Sequence, residues 1–157
     1  MTKSRFSIAL GLLLALCLSV SAQTIVGSHE VDPKVKEEVY KVLDEYMEAF
    51  NAKDLDKWEA TWHFPHYRLA SGYMSILEKA GLRSGVPVFD ALQKTGWSYS
   101  RWDHRNVIQA SDTKVHVDVR FSRYNKAGAL LKTYESLYIL TCENGRWGVK
   151  MRSSYAE

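Results

Sequence analysis

Residues 114–123 read KVHVDVRFSR, and this alternation constrains the fold more than any other stretch of the chain. Val115, Val117, Val119 and Phe121 fall on one side; His116, Asp118, Arg120 and Ser122 fall on the other. A period of two belongs to an extended strand, because successive side chains point to opposite faces. A strand with one apolar face needs sheet neighbours and a second layer to cover that face. Both neighbours are legible. Residues 97–109 form a long strand before it, and residues 129–142 form another after the turn at Asn125 to Gly128. Asn144-Gly145 is a hairpin signal that leads into a last strand at residues 146–152. The second half of the chain is therefore predicted to be a four-stranded antiparallel meander.

The covering layer comes from the first half. Asp32-Pro33 opens a helix, with Asp as the cap and Pro at the first helical position. Val35, Val39, Val42, Leu43, Tyr46, Met47 and Phe50 then recur at helical spacing on one face. The remaining positions mix Lys with Asp and Glu, which suits a helix packed on a sheet rather than one lying on a membrane. Asp54 caps a second, short helix with Leu55, Trp58 and Trp62 inward. Pro65 forbids further helix and turns the chain into a strand at residues 66–70. Residues 73–77 read either as its hairpin partner or as helix. Pro87 opens a third helix, with Val88, Phe89 and Leu92 inward, and Gly96 ends it. The expected fold is α+β: a curved antiparallel sheet, or cone, with three helices on its concave face.

The first 22 residues stand apart. Lys3 and Arg5 precede a nearly unbroken apolar run to Val20, and small residues at Ser21 and Ala22 precede Gln23. That is the plan of a secretory signal peptide, and the run is shorter than the roughly 20 residues that span a bilayer. The expected organisation is a signal peptide at 1–22, a linker at 23–31 and one domain at 32–157. The expected location is the periplasm or the exterior, with no stable membrane anchor after processing. Loss of Lys3 and Arg5 leaves 19 basic against 18 acidic residues, a formal charge of +1, where the full chain has 21 basic residues and +3. No large basic field remains to hold phosphates, so no nucleic-acid partner is expected. Loss of Cys17 leaves Cys142 alone, which rules out an internal disulfide in the processed domain.

The order of elements, and the run AFNAKDLDKWEATW after the first helix, resemble the nuclear-transport-factor-two-like superfamily, which includes ketosteroid isomerase and the SnoaL-like polyketide cyclases. The matching pieces include His63-Phe64-Pro65-His66, Ser100-Arg101-Trp102-Asp103, Arg123-Tyr124, Tyr134-Glu135-Ser136-Leu137-Tyr138 and Gly145-Arg146-Trp147. The resemblance covers residues 33–156. It implies a cone-shaped fold with a pocket between helices and sheet. Such a fold hosts enzymes and plain binding modules alike. The Tyr and Asp arrangement of ketosteroid isomerases has no residue-by-residue counterpart here, so no catalytic residue carries over from it.

Candidate chemistry is sparse. His66 and Asp103 are the candidate catalytic pair: an Asp beside a His would raise its pKa and favour one tautomer. The competing arrangement has Asp103 paired with Arg101 or Arg105 at the surface and His66 bonded to backbone. Trp58, Trp62, His63, Tyr67, Trp102 and Tyr134 are the candidate pocket residues, since aromatic walls suit an apolar ring, although they suit a plain core equally. His63 and His66 are not expected to share a metal, because residues three apart in an extended segment face opposite ways. No Ser/His/Asp motif, phosphate loop or Cys cluster is present, and no cofactor or metal is expected.

Two functional readings follow. One is a binding protein for a small hydrophobic molecule, without a cofactor. The other is a cofactor-independent isomerase, dehydratase or cyclase that uses the His66 and Asp103 pair. A homodimer through the outer sheet face is expected, because residues 134–141 are apolar on both faces and helices cover only one. Export generates the first test. Intact-mass measurement of protein recovered outside the cytoplasm is expected to show a chain beginning at Gln23, and a mass that retains residues 1–22 would refute the signal peptide.

Overall fold

The computed structural model describes residues 31–70, 72–82 and 88–156. The expected signal peptide, nearly all of the linker, and Pro87 lie outside the described residues. Helix α1 (Pro33–Ala52) and helix α2 (Leu55–Ala60) lead into strands β1 (Trp62–Ala70) and β2 (Tyr73–Leu77). Helix α3 (Val88–Lys94) follows, and then β3 (Tyr99–Ala110), β4 (Lys114–Tyr124), β5 (Leu130–Glu143) and β6 (Arg146–Ser154). The six strands form one sheet in the order β2-β1-β6-β5-β4-β3. The expected α+β architecture holds, with one refinement. Every neighbouring pair is antiparallel except β1 and β6, which run parallel, so the sheet is mixed. No described helix is long and apolar enough to cross a membrane.

Local chemistry sets the element ends. Asp32 Oδ1 accepts a bond from the Lys34 amide at 2.8 Å and caps α1, with Pro33 next in line. Lys53 takes a left-handed conformation, φ 59°, that ends α1 and hands the chain to Asp54. Asp54 Oδ1 then accepts from the Lys57 amide at 3.0 Å and caps α2. Asn144 and Gly145 carry φ of 53° and 76°, as a two-residue turn matched to strand twist requires.

One face of α1 supplies the core. Val39, Leu43, Tyr46 and Ala49 pack with Trp58 and Trp62 against Val115, Val117, Val119, Tyr138, Leu140 and Val149 of the sheet. Full burial of each large apolar side chain contributes about 1.5–3 kcal/mol. The concave face is therefore dry where α1 crosses it. The alternation read in β4 is obeyed throughout, with all four of its predicted inward residues buried.

The structure moves the start of the strand after α2, settles the open choice at residues 73–77 in favour of strand, and breaks the alternation of β3. The strand after α2 begins at Trp62, not at His66, and it runs through Pro65. Pro65 is tolerated because the pairing of β1 with β6 shifts register between Trp62 and Tyr67, where no ladder amide is demanded of it. Trp62 is thus a strand residue rather than part of α2. Residues 73–77 are a strand, paired antiparallel with β1. In β3, simple alternation fails: the pairing with β4 shifts between Trp102 and His104 and again between Val107 and Gln109. Trp102 and Arg105 both reach α1, through Leu43 O at 3.2 Å and Tyr40 O at 3.3 Å. Residues three apart reach one face only because a bulge at Asp103 inserts an extra residue.

At the far end of the sheet, His63 lies over Gly148. A Cβ built on Gly148 would stand 2.8 Å from His63 Cδ2 and 2.9 Å from its Nε2. The ring has no room to retreat, since its Nε2–H donates to Arg146 O at 3.0 Å and its Nδ1 accepts from Arg146 Nη2 at 3.0 Å. Gly148→Ala is expected to cost about 1–3 kcal/mol by overpacking. Urea unfolding followed by circular dichroism measures this, and an unchanged midpoint would contradict it.

Candidate functional site

A cavity of about 700 Å³ lies between the helices and the concave sheet. Its walls are largely aromatic, with Phe50, Trp58, Trp102, Phe121 and Tyr134 among the lining residues. Leu92 of α3 closes it from one side. This volume falls in the range of small-molecule sites.

The polar centre is built around Tyr46 of α1. Its ring meets Trp58 and Tyr138 edge-on, with centroids 5.5 and 5.6 Å apart. Its hydroxyl accepts from Arg152 Nη1 at 2.7 Å, and the Tyr138 hydroxyl stands 3.4 Å from both. The Arg152 guanidinium also lies 6.0 Å from the Tyr46 ring centroid and 5.8 Å from that of Trp58, a cation–π arrangement. Burial pushes the Tyr46 phenol well above its ordinary pKa, with Arg152 pulling the other way and Tyr138 adding to the rise. The hydroxyl therefore stays neutral at physiological pH. For Arg152, burial works against the charge, but the two phenol oxygens more than offset it, and the guanidinium stays ionised.

A second guanidinium shares the cavity. Arg123 Nη1 donates to the Tyr134 hydroxyl at 3.3 Å, and its guanidinium carbon sits 4.7 Å from that ring's centroid. Burial lowers its pKa and the nearby charge of Arg152 adds to the effect, against the opposing pull of Tyr134. Arg68 lines the cavity as well, pairs in register with Arg152, and donates to Ala156 O at 3.1 Å. Among the described lining residues there is no His, Asp or Glu.

The structure divides the residues singled out in the sequence. Trp58, Trp102 and Tyr134 line the cavity, whereas Trp62, His63 and Tyr67 do not. Trp62 lies in the core, stacked on His66 at 4.3 Å. His63 belongs to the sheet end described above, with Glu143 3.8 Å from its Nδ1. Tyr67 pairs with Ile76 and Met151, on the face opposite to Arg68.

The His66 and Asp103 pair does not form. His66 is fully buried on β1, and its Nδ1 is bonded to Val149 O at 3.0 Å. Asp103 is on β3, four strand positions away, roughly 19 Å along the sheet at about 4.8 Å per strand. It also faces outward, where its carboxylate accepts from Ser122 Oγ at 2.7 Å and lies 3.6 Å from Arg120 Nε. The surface arrangement therefore prevails, with Arg120 as partner in place of Arg101 or Arg105. Alternation from the inward Trp102 puts Asp103 on the convex side, and the bulge there adds His104 to the same side.

One group among the described residues has spacing suited to a metal. His104, Asp118 and Glu135 on the convex face bring their ligand atoms within 4.8 Å of one another. Arg120 pairs in register with both His104 and Glu135 and already supplies positive charge there.

What sequence reasoning missed is the polar role of Tyr46 and Tyr138, and the presence of Arg68, Arg123 and Arg152. A signal for Arg123 existed. It continues the odd-numbered inward series from Val115 to Phe121, and its charge masked its position. Arg152 gave no such signal. The pairing of β5 with β6 skips Lys150, and that bulge turns Arg152 inward opposite Tyr138.

A family model described as "NTF2-like protein (DUF6841)" matches residues 36–155. Solved structures share the fold at low identity. A protein of unknown function with a cystatin-like fold from Nostoc punctiforme is 15% identical with a TM-score of 0.66, over 80% of this chain and 93% of that one. A ketosteroid isomerase-like protein from Erwinia carotovora atroseptica is 17% identical with a TM-score of 0.60, over 79% and 97%. A protein from Catenulispora acidiphila, solved in complex with S-DNPA, is 13% identical with a TM-score of 0.63, over 79% and 94%. No functionally curated protein matches the chain.

Proposed function

Since the chain belongs to the NTF2-like protein family DUF6841, we propose that its cone serves as the binding site for a small, largely apolar, ring-bearing molecule. The observation that carries this reading is the 700 Å³ cavity with aromatic walls around one cluster of hydroxyls and guanidinium groups. Such a site buries an apolar body and orients it through a few polar contacts. The Catenulispora acidiphila protein, a chain of the same fold solved in complex with S-DNPA, supports the reading. Binding is favoured over acid–base turnover by the lining itself. Among the described residues it offers neutral phenols and permanently charged guanidinium groups, and neither matches a general base poised near neutral pH.

Two further expectations complete the proposal. The protein works outside the cytoplasm, as the leader-like segment implies. It also pairs with a second copy through the convex face. There, Ile76, Tyr67, Met151 and Ile139 stand in one cross-strand row, with Met74, Leu69 and Leu137 beside it. Ile76, Met74 and Leu69 are 50%, 52% and 39% exposed, a contiguous apolar surface of the kind a two-fold mate buries.

Both parts are measurable. Tryptophan emission is expected to respond saturably to the neutral probe 2-naphthamide, because Trp58 and Trp102 line the cavity. Ala91→Trp, which places a large ring among the lining residues of α3, is expected to weaken that binding by about tenfold or more, the cost of losing a few apolar contacts. A variant that binds the probe as well defeats the cavity reading, as does failure of both this amide and the matching carboxylate, 2-naphthoate, to bind. Light scattering at tens of micromolar is expected to give a dimer mass, and a monomer defeats the pairing.

A further inference from the structure

We propose that the cavity is specific for an organic anion: a ring-bearing acid whose carboxylate is held by Arg123 and Arg152. This rests on the cavity being a small-molecule site and names the chemical class it takes.

The warrant is an imbalance of charge. A buried guanidinium costs several kcal/mol of lost hydration unless a well-placed partner compensates. The usual partner is a carboxylate. Among the described residues, neither Arg123 nor Arg152 has one within ion-pair distance; their partners are phenol oxygens and ring faces. Phenol oxygens favour the guanidinium as neutral acceptors, as they do at Arg152, but they carry no counter-charge. Among the described residues, the Nε–H of each arginine is buried and meets no acceptor. Two orphaned charged donors in one cavity are expensive, since buried polar groups are nearly always bonded.

The two charges also act on each other. Arg123 senses Arg152 as a repulsive neighbour. The in-register pairing of Arg68 with Arg152 brings a third guanidinium to the same wall. Like charges opposite one another destabilise a sheet. A monoanion placed beside Arg123 and Arg152 offsets the repulsion, takes up their unbonded Nε–H groups, and gains charge-assisted bonds in an aromatic-walled cavity. The planar fork of arginine suits a carboxylate better than it suits a single hydroxyl. The aromatic walls define the rest of the molecule. Trp58, Trp102, Phe121 and Tyr134 surround the arginines with ring faces and edges, so the anionic group is borne by an apolar, preferably aromatic, body.

The test compares two probes of nearly equal shape, 2-naphthoate and 2-naphthamide, on the processed chain at neutral pH, by tryptophan quenching and calorimetry. Naphthoate is expected to bind at least about tenfold more tightly, the least that a hydrogen-bonded charge provides. In Arg123→Met and in Arg152→Gln the ratio of the two affinities is expected to fall towards one. Arg152→Gln removes a bond to Tyr46 and so puts the fold at risk; Arg123→Met carries the test if that variant does not fold. Equal affinities, or a tighter amide, overturn the anion assignment while leaving the apolar cavity intact. A naphthoate preference that survives both substitutions places the anion elsewhere and overturns the assignment to these arginines. Failure of both probes to bind removes the cavity reading and this inference with it.

Discussion

The bond from Arg152 to the hydroxyl of Tyr46 joins the two layers of the molecule. Tyr46 comes from the middle of α1, and Arg152 from β6, the strand that pairs with both β1 and β5. Around that 2.7 Å contact, Tyr138 and the rings of Trp58 and Trp102 gather within 5.5–6.3 Å of Tyr46. The contact is polar and lies at the edge of the apolar core. On one side of it, Val39, Leu43 and the valines of β4 are packed dry. On the other side the helices stand away from the sheet and the cavity opens. The position of Tyr46 along α1 therefore decides where core ends and site begins.

The same contact is costly as a stabilising device. A buried arginine is weak evidence for stability, since apolar residues of similar volume often serve as well. Arg123 and Arg152 both sit in places where Leu or Met would fill space without loss of hydration. Retention of charge at such positions fits a site that is completed by something other than the chain itself. It also fits the general pattern in which proteins give up local stability where they bind.

Bulges do much of the positioning. Asp103, Ile108 and Lys150 are among the strand residues that fall at register shifts. The first sets His104 beside Asp103 on the convex face, where Ser122 and Arg120 hold the carboxylate. The last brings a guanidinium onto the concave face. The cavity is left with positive groups and, among its described lining, no negative ones. Without the shift at Lys150, Arg152 would face the convex side.

The sequence alone determined the layers. Period two in residues 114–123, helical spacing in residues 35–50, and the Asp32, Asp54 and Asn144-Gly145 signals are local, and each is readable without knowledge of any long-range contact. Trp58, Trp102 and Tyr134 were legible as cavity wall for the same reason, because bulky apolar groups on an inward face have few other places to go. What was not legible depends on register. Whether His104 faces in or out, whether Arg105 reaches α1, and whether Arg152 joins Tyr46 all turn on a one-residue slip between strands. A single inserted residue reverses the facing of everything beyond it in that strand. Only the tertiary structure decides that slip, because it is set by how β3 and β6 fit against neighbours far away in the chain, and no local propensity encodes it.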